Sequence, residues 1–203
     1  MKSEYLIPGL LAIALAVIFP IYLIYEALSI VWGDWNQIAN SMIQFGASDL
    51  AFLLIGVLSI IVYLGFKKIL NDQLNFKALD VPLLIIIAIS AVFYLGFFLF
   101  AVVFSVGTYD LFSDGSWLAT FIVGFTFVCF ILFGILDILI GAIILRHHKK
   151  LPSLLMVSAV VSIIQGVFEI SLIFAEATLI TFPMYLIVLA VYFLRPPETI
   201  EVV

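Results

Sequence analysis

Polar side chains set inside long apolar runs are the residues of this chain with types and spacing suited to chemistry. Asp137 stands in such a run, with Gly134 at i−3 and Gly141 at i+4. Arg146 follows nine residues later, so at 1.5 Å per residue the carboxyl lies roughly 13 Å along a helix from that basic end. In the next run Ser158, Ser162 and Gly166 repeat every four residues, and Gln165 and Glu169 sit beside them at i, i+4. Glu26 lies toward the far end of the first apolar run. An unpaired charge in hydrocarbon costs several kcal/mol, so each of these acids needs a partner, a proton or a wet path.

Two chemistries fit this pattern. In the first, Asp137, Gln165 and Glu169 are ligands or proton carriers along a polar path, with Glu26 a further candidate polar residue nearer the outer surface. In the second, Asp137 is a hydrogen-bonded tie to the Ser158 and Ser162 hydroxyls, and Glu169 snorkels outward. Small residues let membrane helices approach closely, so either reading places Asp137 against Ser158 or Ser162. Glu169 is the acid expected to meet solvent from outside.

The other reactive residue types carry less. His147 and His148 adjoin Arg146, Lys149 and Lys150, and adjacent histidines on a helix cannot both face one metal. No histidine lies within an apolar run to activate a serine or complete a zinc site, which argues against a protease. The single Cys129 excludes an internal disulfide and a CxxC pair and reads as a small core residue. We expect no enzymatic activity, no cofactor, no metal and no nucleic-acid partner, since no outward basic stripe is present.

The elements that must position these residues follow from composition. The 203 residues are 66% hydrophobic and 10% charged, with a mean hydropathy of +1.37; soluble domains run nearer ~45–50% apolar and ~25% charged. A bilayer span takes about 20 apolar residues. Apolar stretches at 5–31, 49–67, 81–106, 117–146, 152–175 and 177–194 predict an all-α polytopic membrane protein, one domain over 1–203. The first stretch continues far beyond a signal-peptide core and is expected to be retained. A short interfacial helix is expected near 35–45, where Trp35, Ile38, Ala39, Met42 and Ile43 recur at helical spacing.

Basic residues near span ends are held on the cytoplasmic side. All eight fall on one side of this arrangement: Lys2, Lys67, Lys68, Lys77, Arg146, Lys149, Lys150 and Arg195. Both termini are therefore expected in the cytoplasm, in a plasma or inner membrane. The opposite side carries Glu26, Asp34, Asp49, Asp110, Asp114, Glu169 and Glu176, a purely acidic face. Pro8, Pro82 and Pro152 open the first, third and fifth spans, and each following pair returns to a basic end, which suggests a six-helix bundle built as three hairpins. In span count and length the chain resembles small six-span families such as the acid-resistance membrane proteins and the substrate-binding subunits of energy-coupling-factor importers, with no shared motif to carry a function across.

Two functions are consistent with these residues. One is a non-enzymatic accessory or interaction subunit that packs through its helices against a membrane-protein partner or copies of itself. The other is a small transporter or channel for a cation or a proton-coupled solute. A close set of facing polar residues on the first, fourth and fifth helices enclosing a pocket favours transport, and an exposed strip of small residues facing lipid favours association.

Overall fold

The computed structural model describes residues 3–32, 45–106, 116–172 and 175–195. The expected interfacial helix at 35–45 lies almost wholly outside them, as do Lys2, Asp34, Asp110 and Asp114. Among the described residues six α-helices follow one another: α1 (Leu6–Trp32), α2 (Ala47–Leu74), α3 (Asp80–Val106), α4 (Ser116–Arg146), α5 (Ser153–Ser171) and α6 (Thr178–Leu194). No strand occurs among the described residues. Five of the helices are long and apolar enough to cross a membrane, and α6 is a shorter apolar helix of 17 residues, about 26 Å long at 1.5 Å per residue.

The helix limits differ from the apolar stretches at two places. α2 continues past Lys67 and Lys68 to Leu74, because Asn71 and Asp72 are tolerated in a helix once it leaves an apolar medium. Asn75 then ends it in the left-handed region, φ 47°, with the Phe76 amide donating back to the Leu70 carbonyl at 3.1 Å. α5 stops at Ser171 instead of running to 175, where Leu172 takes a left-handed φ of 55°. α1 runs through Pro20 and α6 through Pro183 as single helices.

Each helix packs on its neighbours in chain order, and α6 closes the ring on α1, with α2 also touching α6 across the middle. The closest pairs are α4–α5, α1–α6 and α2–α3, and α3–α4 is the loosest seam. The pairs expected as hairpins, α1 with α2, α3 with α4 and α5 with α6, do pack on each other, and further contacts between the hairpins close the bundle. Short connections at 75–79 and 147–152 force α2 onto α3 and α4 onto α5, whereas longer connections precede α2 and α4.

Glycine makes the α4–α5 pair the closest in backbone terms. A Cβ at Gly134 would stand 2.6 Å from the Gly166 carbonyl oxygen, and one at Gly141 2.6 Å from the Ala159 carbonyl oxygen. The two helices therefore touch main chain to main chain over two turns, an approach that only small residues allow. The small-residue ladder is consumed here, within the molecule.

Outside, the bundle exposes large apolar side chains on every helix, among them Ile7, Val17, Leu50, Val92, Val128, Val167 and Ile187. That coat far exceeds what a soluble monomer presents and suits contact with lipid. The described lysines and arginines gather at one end. There Lys68 pairs with Glu4 at 3.1 Å, Lys67 with Asp80 at 3.7 Å, and Asn71 donates to Asp80 at 2.7 Å. Phe76 packs edge-on to His147 at 5.1 Å, joining the α2–α3 and α4–α5 turns. His147 and His148 point Nδ1 at carbonyls of their own helix end, Ile143 and Leu145. Tyr5, in a 3-10 turn ahead of α1, is buried and donates to Asp72 at 3.0 Å; burial first, then that hydrogen bond, push its phenol up to about 12.

Candidate functional site

Polar groups of the expected site do converge, near mid-length of the helices. Ser162 of α5 donates to the backbone carbonyl of Asp137 on α4 at 2.9 Å and to its Oδ1 at 3.3 Å. Asp137 is 2% exposed, so its carboxyl is turned into the bundle and away from lipid. Ser158 does not join it: its hydroxyl donates to Leu155 of its own helix at 2.8 Å. One turn farther along α5, Gln165 Nε2 donates to Glu169 Oε1 at 3.0 Å. Glu169 is 6% exposed and lies against Gly134 of α4. The expectation of an outward-snorkelling Glu169 is corrected, because the glycine opposite gives its carboxyl an inward berth and Gln165 supplies a donor there.

Three tyrosines complete the cluster, and the sequence reading missed them. Tyr63 of α2 lies within electrostatic reach of Asp137, Glu169, Tyr94 and Tyr185. Tyr185 of α6 lies within the same reach of Asp137, and Tyr94 of α3 lies within electrostatic reach of Glu169 and near Ser59. Tyrosine counts as apolar in a span and is ordinarily placed at the membrane edge. The available signal was position: Tyr63, Tyr94 and Tyr185 stand mid-helix, where a hydroxyl needs a buried partner.

Five helices thus contribute to one interior cluster. Among the described residues, Glu169 Oε2, Gln165 Oε1 and the Tyr185 hydroxyl are buried and make no hydrogen bond. Two carboxyls share this space, while the chain's lysines, arginines and histidines lie at or beyond the ends of its apolar runs. Charge balance must come from a proton or a mobile cation, since two neighbouring carboxylates cannot both stay ionised unaided in a medium of low dielectric. Among the described residues no group of three metal-ligating side chains occurs.

Glu26 belongs elsewhere. It is half-buried at the acidic end of α1, hydrogen-bonded to Ser48 and close to Asp49 at the start of α2. Tyr22 stands one turn below it, within reach of Glu26, Asp49 and Tyr94. Cys129 is buried in α4. Comparison with protein families, curated proteins and solved structures gives no significant match, so what this cluster does is argued from its own geometry.

Proposed function

We propose that this chain is a six-span transport protein of a plasma or inner membrane, both termini cytoplasmic, in which Asp137 and Glu169 bind and release a proton or a small monovalent cation. The supporting observation is the convergence of two acids, Gln165 and three tyrosines from five helices on the bundle interior, with acceptor atoms unspent. The one-sided lysines and arginines support the orientation. Apolar helices of this length support residence in a bilayer.

The association reading loses its surface. Its motif was the Ser158, Ser162 and Gly166 ladder, and α4 covers that face through Gly134 and Gly141. A partner would have to use the apolar outer coat.

Reconstituted liposomes test the proposal, with separate pH, Na+ and K+ gradients and a dye for each. Wild-type protein should dissipate one of them. Asp137→Asn keeps shape and an acceptor for Ser162 but removes the exchangeable charge, so flux should fall to background while the protein still melts cooperatively in detergent. Absence of wild-type flux in all three arms, or flux that survives both Asp137→Asn and Glu169→Gln, refutes it.

A further inference from the structure

The interior cluster is not placed symmetrically between the two ends. Toward the basic end, the facing side chains are Phe66, Ile140, Ile144, Leu155, Leu189 and Phe193, all at most 1% exposed and part of one apolar core. Toward the acidic end polar groups join the apolar ones: Gln165 and Glu169 on α5 and Thr178 and Thr181 on α6 are buried beside Ile55, Leu136 and Phe182 of the same core. Along α2 the residues at successive turns are Asp49, Phe52, Gly56, Ser59 and Tyr63, leading from the rim to the acids.

Rings occupy the step between rim and cluster. Tyr22 of α1 packs on Phe52 at 5.9 Å between centroids, and Phe52 packs on Tyr94 of α3 at 4.7 Å. Gly56 allows this: an added Cβ would collide with the Tyr94 ring, so the tyrosine lies directly on the α2 backbone one turn from Ser59. All three rings are only half-buried. Above them stand Glu26, Ser48 and Asp49; below them stand Tyr63 and Glu169.

We infer that the interior acids exchange with the acidic end through the seam of α1, α2 and α3, with the Tyr22, Phe52 and Tyr94 rings as its gate and the Tyr94 phenol as the relay to Glu169, while the apolar half toward the basic end is the closed barrier. The cargo in this inference is that of the transport reading above. A hydroxyl is suited to the relay because it accepts a proton on one side as it donates on the other, and equally offers a lone pair to a passing cation. An apolar layer several turns deep offers neither, so an ion cannot cross it without rearrangement of the helices.

Sidedness is tested without measuring flux. In a Cys129→Ala background, Ser59→Cys and Leu155→Cys are reconstituted in liposomes, and a charged, membrane-impermeant methanethiosulfonate is applied to each face in turn. Orientation is read from Glu176→Cys and Lys149→Cys controls. Ser59→Cys should react from the Glu176 face only, and Leu155→Cys from neither. Phe52→Ala removes four ring contacts, to Tyr22, Phe93, Tyr94 and Phe97, and should speed the Ser59→Cys reaction from that face about tenfold. Labelling of Ser59→Cys from the Lys149 face or from neither face overturns the route, and an unchanged rate in Phe52→Ala overturns the gate. Tyr94→Phe should lower flux at least about tenfold with an unchanged melting profile; unchanged flux removes the relay. Outer-face labelling without any wild-type flux would sink the transport reading and leave the route standing, whereas Asp137-dependent flux with basic-face labelling would do the reverse.

Discussion

Replacing Gly141 by alanine should loosen the bundle, although alanine is the better helix former. The new Cβ would stand 2.6 Å from the Ala159 carbonyl oxygen and 2.6 Å from Ile163 Cγ1. A carbon–oxygen contact settles at about 3.3 Å, so α4 and α5 must separate by roughly 0.7 Å at that level. The Ser162 bond to the Asp137 carbonyl, 2.9 Å long and one turn away, is then drawn to the edge of hydrogen bonding. Overpacking costs about 1–3 kcal/mol, and an interhelical hydrogen bond in a membrane contributes about 0.6 kcal/mol. Helix propensity returns about 1 kcal/mol, leaving a net loss of about 0.6–2.6 kcal/mol. Gly124, on the same helix, has nothing within 4 Å of its added Cβ, so Gly124→Ala should be neutral or stabilising by up to about 1 kcal/mol. The assay is reversible unfolding in mixed micelles with increasing dodecyl sulfate, followed by helical circular dichroism. If Gly141→Ala is as stable as Gly124→Ala, the main-chain contact between α4 and α5 is refuted.

Two further outcomes can be checked with single substitutions. Tyr5 has its phenol raised from 10.0 to about 12, so its contribution to stability is complete below pH 10 and is lost as pH rises through about 12; Tyr5→Phe should flatten alkaline unfolding across that window, and an unchanged profile would show that Tyr5 is not linked to it. For topology, Glu176→Cys should react with an impermeant thiol reagent only from outside intact cells and Lys149→Cys only after the inner face is exposed; the opposite pattern would invert the proposed orientation.

Asp137 and its glycines were readable as a packing site because an α-helix brings i, i+3 and i+4 to one face whatever its surroundings. The partner on α5 was readable too, since the turn between Arg146 and Lys150 sets the two helices antiparallel and matches their depths. Glu169 was read wrongly in direction: distance along a helix is known from sequence, but azimuth relative to four other helices is not. The tyrosines were missed for the same reason. With apolar residues all round each span, nothing local marks the side that faces inward. Glu26 was readable as an acid at the outer end of the first span, but its contacts with Ser48 and Asp49 depend on where α1 meets α2.

What the sequence by itself determined is the number, order and character of the apolar helices, along with the sorting of charge between their ends. Those follow from the cost of exposing backbone and charge to hydrocarbon, which acts on each segment independently. Tertiary structure alone decided the closed ring, the loose α3–α4 seam, and which end of the interior is polar. These depend on side chains from five helices meeting in three dimensions, and on whether a glycine such as Gly56 or Gly134 happens to face a ring, a carboxyl or a neighbouring backbone.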